Sequence, residues 1–433
     1  MPFRRLAALV LLCMATPAHA ASGPFLTGFD AISAGDTAWM MTSTALVLLM
    51  TIPGLALFYA GMVRKKNVLA TALQSFAICA LITVLWVLLG YSLAFTPGNA
   101  WIGGVDRLLL TGMGYFKEAS EITVSHIAPT IPEPVFVMFQ LTFAIITPAL
   151  ITGAFAERMR FGSMMAFMML WSILVYVPVA HWVWEPGGWL AAMGALDFAG
   201  GTVVHINAGA AGLVCAWMLG PRDGYGRQPF LPHNLVYTLI GASLLWVGWF
   251  GFNAGSAVAA DGRAGMAMLV TQIAAAVATL VWMFMEWMTR ERVTLLGAAS
   301  GAVAGLVAIT PASGFVGVPG ALIIGVAAGA GCFWGATGLK RLLRADDSLD
   351  VFGIHGIGGL IGALLTGLFA DKDIGGVEGN LATQAIGAFG TLIYSGVVSF
   401  IILSIINFIM GLRVEHEDEY LGLDLALHSE QIN

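Results

Sequence analysis

Eleven long apolar runs set the terms on which this chain can fold. They fall at roughly 38–62, 69–95, 133–155, 161–184, 198–219, 234–255, 264–287, 294–310, 318–338, 351–370 and 384–411. About 20 apolar residues in a helix match a ~30 Å hydrocarbon layer. Lipid offers backbone N–H and C=O groups no partner, so such runs must satisfy them internally, as helices or as a closed barrel. These runs are continuous rather than alternating, which argues against a lone transmembrane barrel. The expectation is an all-α integral membrane protein of eleven transmembrane helices, the eighth being the shortest. With 58% hydrophobic and 10% charged residues, the composition lies far from the ~25% charged of soluble domains. The 54 glycines, spread through the spans, point to closely packed membrane helices.

The charges orient the chain. Thirteen Lys and Arg residues, from Arg64 to Arg413, follow odd spans or precede even ones, against four (Arg107, Lys117, Arg263, Lys372) on the other side. Arg4 and Arg5 complete the 19. The positive-inside rule then puts the mature N-terminus outside and the C-terminus in the cytoplasm, as an odd span count requires. For a bacterial chain this means a multi-pass inner-membrane protein with a periplasmic N-terminus. Residues 1–20 read as a signal peptide, with Arg4 and Arg5 before the apolar Leu6–Met14 and Ala18-His19-Ala20 as cleavage site. That leaves a membrane domain over 21–413 and a tail over 414–433. The tail carries six acids and no Lys or Arg, and as composition alone it reads as a solvated acidic segment. Cys79, Cys215 and Cys332 lie in apolar spans without disulfide or zinc spacing. No cofactor or metal site is expected.

Two histidines sit well inside apolar spans rather than near an end, His205 in the fifth and His355 in the tenth. An ionisable residue within a membrane span is costly and marks a candidate functional site. A single buried histidine is commonly just a satisfied core residue; a pair placed alike in two halves points to a lined pathway. Five spans per half is an odd number, so spans 1–5 and 6–10 would form an inverted repeat, which places a site near the midplane at the interface of the halves. Paired imidazoles can share and relay a proton at low net charge. Two histidines without a carboxylate or thiolate at ligand spacing make a poor zinc set. Asp197 lies eight residues before His205. On a continuous helix that offset is about 12 Å, and Asp197 would act as helix cap, as a negative field for a cation, or as both. Trp184, Phe143 and Phe252 could join Ser256 in an aromatic cup with one hydroxyl, which attracts a small cation by about 2 kcal/mol when desolvated. Pro148 is expected to kink the third span.

Six stretches carry a family pattern: PGLALFYAGMVRKKNVL (53–69), FAIITPALITGAFAERMRF (143–161), AHWVWEPGGWLAAMGALDFAGGTVVHINAGAAGLV (180–214), GWFGFNAGSA (248–257), ITPASGFVG (309–317) and DVFGIHGIGG (350–359). Together they identify the chain as resembling the ammonium transporter (Amt) branch of the Amt/Rh family over nearly its whole mature length. The resemblance implies a homotrimer whose subunits each hold a pore between two five-helix halves, with a peripheral eleventh helix. It implies ammonium recruitment at Trp184, Phe143 and Ser256, a gate of stacked rings at Phe143 and Phe252, and pore histidines His205 and His355. Asp197 takes a structural and electrostatic role on this resemblance, and Phe58, Tyr176, Trp249, Asn253, Ser300 and Thr310 line or support the pore. The tail from Gly411 is similar to one on which PII-type regulatory proteins dock. One departure is Glu185-Pro186-Gly187-Gly188 after Trp184, where a shorter glycine-rich turn is expected.

The function expected is uptake of NH4+ (and methylammonium) from the periplasm, deprotonation near the phenyl gate, and conduction of NH3 past the histidines with a separately relayed proton. A passive Rh-like NH3 or CO2 channel would not require the tryptophan–serine cup. An ammonium sensor would carry an output domain, which a tail of about twenty residues does not provide. No nucleophile–base set marks an enzyme.

Overall fold

The structure is a computed structural model that describes residues 23–432; the expected signal peptide lies outside them. Among the described residues, ten helices are long and apolar enough to cross a membrane. They are α1 (Ala34–Met62), α2 (Lys65–Phe95), α3 (Glu133–Phe155), α4 (Phe161–Ala192), α5 (Gly201–Leu219), α6 (Leu235–Gly255), α7 (Gly262–Arg290), α9 (Val318–Leu343), α10 (Phe352–Phe369) and α11 (Leu381–Met410). Between α7 and α9 runs the shorter apolar α8 (Leu295–Ile309), at the eighth predicted span. The segment before α1 and the connection before α3 together form what the apolar pattern did not show, a small antiparallel sheet. It orders β1 (Phe25–Gly28), β3 (Glu121–Val124) and β2 (Tyr115–Phe116), with Phe25 opposite Val124 and Tyr115 opposite Ile122.

Helix α3 is the buried axis of the molecule: 89% of its apolar window is enclosed, against 28% for α2 and α11. It runs without a non-helical residue through Pro148. The Thr147 hydroxyl donates to the Phe143 carbonyl at 2.7 Å. Helix α11 lies across α4, α5 and α10. Its buried face is pinned by Ser395 donating to the Asn207 carbonyl, Trp171 donating to Ser399, and Gln384 bonding to Leu196 and Ala363. Its other face, with Phe408 and Ile393, is bare apolar surface, as a lipid-facing helix requires.

Helices α5 and α10 meet at closer range than side chains permit. A Cβ on Gly209 would stand 2.5 Å from the Gly356 backbone, and one on Gly359 would stand 2.9 Å from the Gly201 carbonyl oxygen. Small residues are what allow such approach between membrane helices.

The basic end of the bundle holds a buried ionic cluster. Arg222 bonds to both oxygens of Asp346 at 2.9 Å and reaches Glu157 at 3.2 Å, while Arg64 holds Glu157 at 2.9 Å. Arg158, fully buried, donates to the carbonyls of Ala154, Ala156, Gly220 and Asp346 and to the Ser348 hydroxyl. Burial alone would raise Glu157 and Asp346, but the arginines overcome it and hold both carboxyls below their ordinary values.

The tail is not merely solvated. It folds into α12 (His416–Leu421) and α13 (Leu423–His428) and docks on the start of α2. Asp424 accepts from the Leu69 and Ala70 amides, Asn67 from the Leu423 amide, and Glu419 pairs with Arg413 at 2.7 Å. Glu419 and Asp424 are buried and Asp418 is half-buried, while Glu415, Glu417 and Glu430 are exposed, Glu415 pairing with Arg160.

Two outcomes follow. Gly209→Ala forces α5 and α10 apart at the cost of about 2 kcal/mol, read as a lower melting temperature in detergent. Asp346→Asn leaves Arg222 short of its partner in a buried site and costs about 3 kcal/mol. Because both acids are depressed in the fold, the cluster's stabilisation is complete above the ordinary glutamate value of 4.5 and drains as pH falls through their lowered values. Melting curves against pH therefore show a shallower acid loss in Asp346→Asn than in wild type.

Candidate functional site

Each of the two span histidines stands on a widened first turn. His205 lies in the π-turn Gly201–Ile206 that opens α5, and His355 in the π-turn Phe352–Gly356 that opens α10. Such turns recur at functional sites. The backbone before α5 is not helical: Gly200 takes φ +114° and the helix begins at Gly201. Asp197 and His205 therefore do not share one helix, and the 12 Å offset of a continuous helix does not apply. From this bend Asp197 accepts four amides: Gly200 at 2.9 Å and Gly201 at 2.6 Å on one oxygen, Thr202 at 2.8 Å and Val203 at 3.0 Å on the other. All four orphan donors of a helix start are thereby met or approached by one carboxylate. Burial pushes Asp197 above the ordinary range, and the four amides oppose it.

Asp347 does the same for α10, accepting from Val351 at 3.0 Å and Phe352 at 2.8 Å. It too stands eight residues before its histidine. Burial pushes its carboxyl up to about 6, against the pull of Lys340. Sequence reading passed over Asp347; the repeated Asp–His spacing was the available signal.

The two histidines meet. Nδ1 of His205 and Nδ1 of His355 are 3.2 Å apart, with ring centroids at 5.2 Å. Two nitrogens at that distance hold one hydrogen between them, so one ring donates and the other accepts. His205 Nε2 has no partner among the described residues. Both rings line a cavity of about 10 Å³ walled by Leu55, Phe58, Ile146, Trp249 and Phe252. That is room for about one water-sized molecule.

Aromatic rings run from this cavity to Trp184, where the regular helix of α4 ends. His205 stacks on Phe252 at 6.0 Å, Phe252 lies 4.4 Å from Phe143, and Phe143 meets the edge of Trp184 at 5.6 Å. The Trp184 indole is fixed by donation to the Asp197 carbonyl at 2.9 Å and by stacking along Phe95. Phe143 and Phe252 are buried, whereas Trp184 and Ser256 are partly open. Ser256 stands one turn beyond Phe252 and donates its hydroxyl to the Phe252 carbonyl, which leaves its oxygen free to accept.

The supporting residues divide. Trp249 lines the cavity and donates to Thr310, which in turn donates to Leu306. Phe58 separates the cavity from a second one of about 150 Å³ at the basic end, where Ser300 lines the wall with Arg64, Glu157 and Arg222. Asn253 and Tyr176 line neither. Asn253 donates to Thr271 on α7, and the buried Tyr176 hydroxyl has no partner among the described residues. The structure also answers the Glu185 departure. Its carboxylate turns inward and is buried against His126, a residue the sequence reading did not single out.

Comparisons with known proteins show the family and the fold. Residues 38–432 match the model of the Ammonium Transporter Family. The chain is 50% identical to an ammonium transporter of Bacillus subtilis over 407 residues, covering 92% of this chain and 98% of that protein. It is 43% identical to ammonium transporter Amt1 of Archaeoglobus fulgidus, covering 92% and 99%. Among solved structures, Saccharomyces cerevisiae Mep2 superposes with a TM-score of 0.81 at 36% identity, over 90% of this chain and 89% of that one. A sensor Amt protein superposes with a TM-score of 0.83 at 28% identity, over 91% and 98%. On sequence and on fold alike, the chain belongs to the ammonium transporter family.

Proposed function

We propose that this protein takes up ammonium by removing a proton at the aromatic gate and conducting NH3 through the histidine-lined cavity. The observation that carries the reading is the unbroken file of rings from Trp184 through Phe143, Phe252 and His205 to His355, ending in a cavity of molecular size. A bare cation entering such a lumen faces an idealised desolvation cost of order 20 kcal/mol. Ring faces return only about 2 kcal/mol. Neutral NH3 escapes that penalty, and K+ has no proton to shed. In this reading Trp184, Phe143 and the free lone pairs of Ser256 select NH4+ at the outer mouth, and Phe143 with Phe252 closes the path below. The His205–His355 pair gives NH3 a polar stripe and the proton a relay. Asp197 is taken up by four amides, so it acts through its field and through the placement of His205 rather than by binding the cation.

Orientation follows the charges: Trp184 faces the periplasm and the cluster of Arg64, Arg158 and Arg222 faces the cytoplasm. The matched Asp–His spacings and matched π-turns support two inverted five-helix halves. A homotrimer in the inner membrane, methylammonium as a second substrate, and a PII-type protein docking on the tail complete the proposal. A sensing role is the second reading, favoured by the likeness to the sensor Amt protein.

Ammonium pulses on proteoliposomes adsorbed to solid-supported membranes test this. Wild type gives an ammonium-specific current, and His205→Ala with His355→Ala loses it or passes K+ instead. A fast internal pH change without current means a passive gas channel, and neither signal means a sensor. Asp347→Ala strips two amides of their acceptor, costs about 1 kcal/mol, and lowers the current by displacing His355. Asp347→Asn, which retains an acceptor, stays nearer to wild type.

A further inference from the structure

The regular helix of α4 ends at Trp184, and the next residue, Glu185, leaves it in extended conformation. A carboxylate at a helix C-terminus faces the negative end of the helix dipole, so local electrostatics disfavour it there. The structure nevertheless buries it completely, with His126 Nε2 placed 3.1 Å from each of its oxygens. The imidazole side chain is itself only 4% exposed, and its Nδ1 has no partner among the described residues. Glu185 is therefore held across the molecule, by a residue 59 positions earlier in sequence.

His126 occupies a tight turn between β3 and α3, closed by Ala128 donating to the Ser125 carbonyl at 3.0 Å. Seven residues later α3 begins, and it carries Phe143. One end of the Glu185–His126 contact is thus bonded to Trp184 and the other leads into the helix of Phe143, the ring that Trp184 meets edge-on. Other ties hold α4 further back: His181 faces the carbonyls of Ala94 and Asn99 at 3.0 and 2.8 Å, and Trp182 donates to Trp101. These fix the helix. Among the described residues, Glu185 is the first past Trp184 whose side chain is held by a distant part of the chain; the next tie is the Trp189 amide, which donates to the Ala100 carbonyl at 3.0 Å.

We propose that Glu185 and His126 are positioning residues for the outer ammonium site: their buried contact sets Trp184 against Phe143 and so sets the affinity of the cup. This rests on the conduction reading above. The cation meets Trp184 before any later step, so loosening the contact weakens capture and leaves the path beyond the gate intact.

The experiment measures ammonium-evoked current against ammonium chloride concentration, with the full chain in proteoliposomes. His126→Ala raises the half-saturating concentration about tenfold and keeps the maximal current within about twofold, the signature of lost ground-state binding. Glu185→Gln still accepts from the imidazole and stays close to wild type. In a Trp184→Leu background, His126→Ala produces no further shift, because the residue it positions is gone. Equal shifts in both backgrounds, or a fall in maximal current at unchanged half-saturation, would overturn the assignment. If His126→Ala does not accumulate, Glu185→Ser breaks the same contact from the helix side and is read in the same cycle. Absence of current in wild type refutes the conduction reading, whereas wild-type current with an additive cycle refutes this one alone.

Discussion

A helix that starts inside a protein leaves backbone N–H groups that no water can reach. Two aspartates answer this for the two helices that matter most here. Asp197 gathers four amides at the head of α5 and Asp347 gathers two at the head of α10. Everything at the centre depends on those caps. They permit widened first turns, the widened turns carry the histidines, and the glycines at 209 and 356 let the two backbones close until the rings touch.

Charge is distributed by the same logic. Near the aromatic file the acids are sequestered: Asp197 by amides and Glu185 by His126. At the opposite end, Arg64, Arg158, Arg222, Glu157 and Asp346 interlock beside the larger cavity, and the tail threads its own acids onto the start of α2. Arg158 ties α3 to the segment before α10, while Arg413 and Glu419 join α11 to α12. The last helices of the chain and the rim of the 150 Å³ cavity thus share one electrostatic framework.

Much of this was legible in the sequence, because membrane physics writes in long runs. Apolar stretches of twenty residues announce helices, and two histidines within them announce a centre. The predicted runs agree with the observed helices to within a few residues at most ends, since the boundaries follow charged and capping residues. What could not be read depends on partners far apart in sequence. His126 and Glu185 are 59 residues apart, Asp424 and Ala70 are 354, and nothing local to either member foretells the pairing. Which of the residues expected to line or support the pore face a cavity, as Trp249 does, and which face a neighbouring helix, as Asn253 does toward Thr271, depends on helix rotation, and rotation is what a featureless apolar pattern encodes least. The bend at Gly200 was hidden too, because an aspartate at a span's mouth reads equally as first residue or as cap.

The contact between two like nitrogens has a further consequence. With His205 donating from Nδ1, its Nε2 is bare and His355 carries hydrogen on its own Nε2. A proton accepted at the bare site, passed through the shared bond and released at the far side leaves both tautomers reversed. The acceptor face has then become a donor face, and a second proton arriving from the same direction finds no lone pair. Phe252 and Trp249 stack against His205, so the rings have little freedom to turn over. Under the proposed relay, such a pair is a latch with two settings, and each proton crossing requires a reset before the next.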